Sequence, residues 1–518
     1  MLFNSYSFLF AFLPIALLGY QLCGMVHRKL VIAWLGLASL AFYAYWKPQL
    51  VVLLLASISL NYLAGALISR ELPNPVPARA WLTLAISADL GLLCYFKYLF
   101  PSLNFMAQVV GSPMRWHDVI LPLGISFFTF TQIAFLVDLE QGIARQQDIF
   151  SYGLFVTFFP HLIAGPILHH KEMTPQFQQE RRYQLDLTDV SVGLSWLVMG
   201  LAKKVLLADR FALVADPIFN SHLALGSRTA WVGALSYTLQ LYFDFSGYSD
   251  MALGLARMFS IHFPLNFNSP FKSRSTIEFW QRWHMTLSSY IMSYLFTPIQ
   301  LWVRRRRVIA GKSVHRKDMH KPGTFAAMIA FPMMTTLFIA GIWHGAGFQF
   351  IAYGVLHGSY LTVNHLWNFM SQRGKNKDKE AASPFASSTR NAASVLVTFL
   401  AVIVSFVFFR SRGIEHAFSI LASMAGASHG GSPEVSIPFP LSVAEIAAGL
   451  FIVWFLPNTQ QILSRFHPSL NQEAWDSSEL PRWILWKPSP VWAAGLGLLF
   501  FVVLFQMQDP STFLYFQF

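Results

Sequence analysis

The chain has 518 residues, of which 54% are hydrophobic, 16% aromatic and only 12% charged. Soluble domains carry about 25% charged residues, so half that share over this length excludes a set of water-exposed domains; 49 Phe, 16 Trp and 17 Tyr exclude disorder, and two cysteines, Cys23 and Cys94, exclude a disulfide scaffold. The net charge of +12 does not point to nucleic acid, because the basic residues gather in short breaks between apolar runs, as cytoplasmic loops facing membrane lipid do.

In chain order, apolar runs near the bilayer-crossing length of roughly 20 residues fall around 5–26, 31–46, 49–69, 81–100, 118–138, 152–168, 188–208, 229–251, 276–303, 324–344, 348–370, 392–411, 441–457 and 488–506. Prolines and polar groups interrupt several. The pattern predicts an all-α polytopic membrane protein with about eleven to thirteen spans plus re-entrant segments. It reads as a single membrane domain over 1–518, with 1–370 as the main body and 392–518 as additional C-terminal membrane segments. No basic residue precedes the first run and no small-residue cleavage site follows it, so it reads as a retained span. His27-Arg28-Lys29 come directly after it, which predicts an N-terminus on the outer side. The stretches 75–77, 373–390 and 425–433 read as loops.

The two most basic breaks, 304–323 and 371–391, bracket one apolar pair, 324–344 and 348–370. If both breaks are cytoplasmic, that pair is a hairpin whose outward tip reads Gly341-Ile-Trp343-His344-Gly345-Ala-Gly347. A neutral imidazole at such a tip is suited to act as a base near pH 7, and Gly345 would let a substrate approach the backbone. His357 follows thirteen residues later in the returning arm.

Ionisable groups at membrane depth line pathways or pair with each other. The segment 278–288 places Glu278, Arg282 and His284 among tryptophans. Glu278 and Arg282 are four apart and share a helix face, with His284 on another. Asp244 and Asp250 lie in an otherwise apolar stretch and need cationic partners, for which Arg257 or Arg282 would serve. Asn266, Asn268 and Arg274 make the next segment polar. No HExxH zinc pattern, nucleophile elbow or redox cysteine pair is present, and no tightly bound cofactor or metal is expected.

Taken together, 278–288, Gly341-Ile-Trp-His344-Gly and Tyr353-Gly-Val-Leu-His357-Gly resemble the membrane-bound O-acyltransferases, and above all their bacterial polysaccharide O-acetylation branch. The stretches Leu121-Pro-Leu-Gly-Ile-Ser-Phe-Phe-Thr-Phe, Phe159-Pro-His161-Leu-Ile-Ala-Gly165-Pro166-Ile and Asp244-Phe-Ser-Gly-Tyr-Ser-Asp250 agree, in order, over roughly 1–370. The resemblance implies a helical ring in which an outer funnel and a cytosolic tunnel meet near a catalytic histidine. It places His344 at that position and His284 at the family's second conserved histidine. Beside them, Trp343, Gly345, His357, Asp244, Asp250, Glu278 and Arg282 are read from the sequence as substrate-binding candidates. It implies a multi-pass protein of the bacterial inner membrane with a periplasmic N-terminus. Acetyl-CoA is the expected donor, and a periplasmic acetyltransferase or the polysaccharide itself the expected acceptor. Arg304, Arg305, Arg306 and Arg307 read as a donor-side basic loop. D-alanyl transfer to teichoic acid, or transport without acyl chemistry, are the alternatives. One departure is the long basic stretch to Lys321, where relatives have a short Gly-Gly-Asn turn.

Overall fold

The computed structural model describes every residue except 118, 178–182, 222–224, 375–383, 428–438, 471–479, 508–510, 512 and 515–518. Helices make up 77% of it, and no strand forms among the described residues. Among the described residues, five helices are long and apolar enough to cross a bilayer: Gln49–Glu71, Pro75–Val109, Leu187–Phe219, Pro322–His344 and Ser388–Arg410. Phe8–Gly24, Phe439–Phe455 and Pro490–Gln506 are shorter and also apolar. In a solvent without water, a helix satisfies its own backbone groups within one segment, which is why apolar runs of this length fold as helices.

Of the expected loops, one is wholly helical and a second is helical at its edges. The Pro75-Val-Pro77 stretch opens the helix Pro75–Cys94, because a proline in the first turn loses no hydrogen bond the helix would have made. The expected loop 373–390 falls partly on 375–383, outside the described residues, and the helix Pro384–Arg410 already begins within it. The expected loop 425–433 lies largely on 428–438, also outside them.

Among the described residues, five π-helical turns interrupt the helices, and four share one cause. Pro14, Pro101, Pro298 and Pro332 each stand two residues past a π turn: Phe8–Phe12, Tyr95–Leu99, Met292–Phe296 and Ala326–Ala330. The proline ring clashes with the carbonyl four residues back. That carbonyl belongs in each case to the middle residue of the turn, so the helix widens there instead of breaking. The fifth, Lys203–Ala208, has no such proline. It carries two adjacent lysines.

The chain divides into two compact units, the first made of Met1–Leu206, Asp244–Leu265 and Pro457–Gln517, the second of Leu207–Phe243 and Asn266–Leu456. In the first, the helix Leu187–Ala202 packs against the end of Ser227–Met258 through glycines. A Cβ on Gly193 would lie 2.5 Å from the Gly254 carbonyl oxygen, and one on Gly200 2.8 Å from that of Gly247. The pairing order makes the helices antiparallel, and only glycine permits so close a backbone approach.

That approach brings lysines to the buried carboxylates. Lys203 Nζ lies 2.6 Å from Asp250 and 2.9 Å from Asn458 Oδ1, and Thr459 donates to the same carboxylate at 2.8 Å. Lys204 Nζ lies 2.7 Å from Asp244, with both side chains only 3% exposed. The second Asp244 oxygen accepts the Leu514 amide at 3.0 Å. The expected partners are therefore corrected: Arg257 instead pairs with Asp189 at 2.6 Å, and Arg282 with Glu278 at 2.8 Å.

Candidate active site

The second unit contains the hairpin. The helices Phe331–His344 and Phe348–Gly374 pack along each other, and Gly341 and Gly354 let them touch. A Cβ on Gly341 would sit 2.9 Å from the Gly354 Cα, and one on Gly354 2.4 Å from the Leu337 carbonyl. Gly345 makes room for a neighbouring ring. A Cβ there would strike the Phe350 ring at 2.3 Å, so its missing side chain admits Phe350, which is buried.

His344 is the last residue of its helix and is buried. Its ring meets Tyr353 edge-on at 5.5 Å and Phe409 at 5.0 Å, and Trp343 lies at 4.8 Å. Tyr353 in turn contacts His357 at 4.5 Å. Trp280 Nε1 donates to His357 Nδ1 at 3.2 Å with the rings nearly perpendicular, and Phe279 stacks parallel to the same imidazole at 6.2 Å. His344, Tyr353, His357 and Trp280 thus form one continuous line of rings.

The segment that supplies Trp280 is not one helix. Ser275 caps the short helix Thr276–Arg282 by accepting from the Glu278 amide, as an N-cap serine does. Trp283 is then extended, and His284 takes a left-handed conformation, φ +43°, before Met285–Ile291 starts a new helix. A non-glycine residue there is held against its preference. Asn266 does the holding: its Oδ1 lies 2.9 Å from His284 Nδ1 and accepts from Thr286 Oγ1 at 3.0 Å, while its carbonyl accepts the Met285 amide at 2.9 Å. His284 is buried. Glu278 and Arg282 share a helix face as expected and stand half-buried. Glu278 also accepts the Arg274 amide at 2.7 Å, and the Asn268 amide donates to the Arg282 carbonyl at 2.9 Å. Both residues therefore brace their own segment.

Asp244 and Asp250 belong to the other unit, each occupied by a lysine. The four arginines do not form a loop. They end the helix Thr297–Ile309, because arginine is a good helix former whose charge says nothing about backbone shape. Arg304, Arg305 and Arg306 are exposed, with Arg306 over the Trp302 ring at 5.6 Å. Arg307 folds back to tie the following turn, donating to the Ser313 carbonyl at 2.9 Å and to Thr324 Oγ1 at 3.1 Å. Within that turn, hydrogen bonds from Ser313 and Lys321 hold the Asp318 carboxyl down at about 2.

Sequence reasoning missed Trp280, Tyr353 and Phe409 as the bed of the histidines, and Asn266 as the brace of His284. Trp280 and Tyr353 stand inside the quoted motifs, but an aromatic residue gives no signal of which ring it will meet.

Residues 92–310 match the model of the membrane-bound O-acyltransferase family. The peptidoglycan O-acetyltransferase of Helicobacter pylori is 36% identical over 453 residues, covering 82% of this chain and 80% of that one. This chain belongs to the membrane-bound O-acyltransferase family. The probable alginate O-acetylase AlgI of Pseudomonas putida is also 36% identical, over 432 residues, with 82% and 80% covered. The teichoic acid D-alanyltransferase of Streptococcus thermophilus is 28% identical over 294 residues, 55% of this chain and 68% of that one. Family membership makes the chain a multi-pass membrane O-acyltransferase. The matched segment includes His284, while His344 and His357 lie beyond it.

Proposed function

We propose that this protein takes an acetyl group from cytosolic acetyl-CoA and passes it across the bacterial inner membrane for O-acetylation of an exported polysaccharide, through a periplasmic acetyltransferase or directly to the polymer. The observation that carries the reading is the extent of likeness. Two relatives named for O-acetylation match four fifths of the chain at 36% identity, whereas the relative named for D-alanyl transfer matches about half at 28%.

His344 is proposed as the general base. Acyl transfer from a thioester to a hydroxyl needs the hydroxyl proton removed as the oxygen attacks, and stabilisation of the oxyanion that forms. At the C-terminal end of its helix, His344 has its ring fixed between Tyr353 and Phe409, so the direction of its lone pair is set before substrate arrives. His284, braced by Asn266, is proposed to position the acyl group from the second side. With the N-terminus in the periplasm, the exposed Arg304, Arg305 and Arg306 would face the cytosol, where the CoA phosphates arrive. Asp244 and Asp250 are given no substrate role, since lysines of the same unit hold them.

The test is transfer of radiolabelled acetyl from acetyl-CoA by the full-length protein in proteoliposomes. Label appearing on an added periplasmic acceptor or polysaccharide supports the reading. Transfer of D-alanyl from a carrier protein, with no acetyl transfer, would replace it.

A further inference from the structure

A neutral imidazole carries one N–H and one lone pair, and which nitrogen holds the proton is set by its partners. Trp280 Nε1 is an obligate donor, and it points at His357 Nδ1 from 3.2 Å. Nδ1 is therefore the acceptor, and the ring proton sits on Nε2. That Nε2–H is buried in a ring 1% exposed and meets no partner among the described residues. Unsatisfied buried donors are rare, and each calls for a reason. His284 is held in the opposite sense. The backbone amide of Thr286 donates to the same Asn266 atom that faces His284 Nδ1. That atom must be the amide oxygen, so Nδ1 is the donor and the lone pair of His284 is left on Nε2.

We infer that His357, with its proton fixed on Nε2 by Trp280, is the hydrogen-bond donor that meets the acyl oxygen as it becomes an oxyanion. This rests on the acyltransferase reading above. The placement fits, because Tyr353 touches both His357 and His344. In the step, the acceptor hydroxyl gives its proton to His344 and its oxygen bonds to the thioester carbon. The carbonyl π pair moves onto oxygen, where the His357 Nε2–H stabilises it. The pair then returns, the carbon–sulfur bond breaks, and the CoA thiolate takes the proton from the His344 imidazolium, leaving ester and free thiol. His357 donates without losing its proton. Trp280 touches no reacting atom and is a positioning residue.

The experiment compares acetyl-CoA turnover by the full-length protein carrying His357→Leu, His357→Gln or Trp280→Phe. Loss of one oxyanion donor costs about 10²–10³-fold in kcat. His357→Leu should show that loss with KM little changed. His357→Gln, whose amide N–H can occupy the Nε2 position, should recover to within about tenfold of wild type. Trp280→Phe keeps an aromatic ring beside His357 and removes the donor. It should lower kcat and shift the ¹⁵N resonances of His357, identified by difference from His357→Gln, away from the Nε2-protonated pattern. Wild-type kcat in His357→Leu, or a His357→Gln as slow as His357→Leu while still folded, overturns the inference. If wild type turns over no acetyl-CoA, it is the acetyl-CoA reading that fails. The ¹⁵N spectrum then judges the tautomer alone: an Nδ1-protonated His357 overturns it, and an Nε2-protonated one sustains it.

Discussion

One cluster in each unit treats buried polarity in the opposite way from the other. In the first, at the glycine-lined crossing and beside it, charges come in complementary pairs: Lys203 with Asp250, Lys204 with Asp244 and Arg257 with Asp189. Neighbouring amides and hydroxyls take up further lone pairs, among them Leu514, Asn458 and Thr459. In the second, along the line of rings at the hairpin, the buried groups are imidazoles bedded on aromatic rings, and one of them keeps a donor with no acceptor among the described residues. Desolvated charge is tolerable only when matched, so the first arrangement maintains the fold. A neutral donor left unmatched costs far less than an unmatched charge, and can be held ready for a group that appears only during reaction.

The comparison breaks most visibly if one partner of the buried pair is removed. Lys204→Met should strip the compensation from Asp244 and destabilise the protein by about 3–5 kcal/mol. Lys204→Met with Asp244→Leu should recover much of that. Thermal unfolding in detergent reads both, and a single variant as stable as wild type would deny the pair its structural role. Next, Gly200→Val should push the two helices apart where a Cβ meets the Gly247 carbonyl, costing about 1–3 kcal/mol. The same measurement should find Gly91→Val nearly neutral, since that glycine faces open space.

On the other side of the comparison, Asn266→Ala should free the His284 ring and lower acetyl turnover by about tenfold, the equivalent of about 1.4 kcal/mol. A kcat change without a matching KM change would separate lost positioning from lost binding. The smallest effect belongs to the exposed arginines. Replacing Arg304, Arg305 and Arg306 together by Ala should raise the KM for acetyl-CoA a few-fold and leave kcat alone, since exposed charge contacts are weak and screened by salt. An unchanged KM at low salt would remove their donor-side role.

How much of this was legible in the sequence varied with how local the cause was. The helical membrane architecture follows from composition, and the hairpin was legible because two basic breaks and a glycine-rich tip bracket it. The Glu278–Arg282 pair follows from a four-residue spacing. The partners of Asp244 and Asp250 were not legible. Lys203 and Lys204 stand some 40 residues away, inside a run whose apolar neighbours hid them, and only the glycine-lined crossing brings them near. The break at Trp283 and His284 was also hidden. It depends on Asn266, eighteen residues upstream, and a helical reading of 276–303 contains no proline or glycine there to announce it. Arg304–Arg307 read as a loop because charge was taken for backbone shape.

The most direct test sets one residue from each unit side by side: acetyl-CoA turnover per folded molecule for wild type, His344→Ala, and the double variant Lys204→Met with Asp244→Leu. Removal of a general base costs about 10²–10⁴-fold, so His344→Ala should lose at least 10²-fold while unfolding at the wild-type temperature. The double variant should keep near-wild-type turnover for the fraction that is folded. A His344→Ala protein within tenfold of wild type, or a folded double variant as inactive as His344→Ala, would contradict the division between a paired structural cluster in one unit and a reactive histidine cluster in the other.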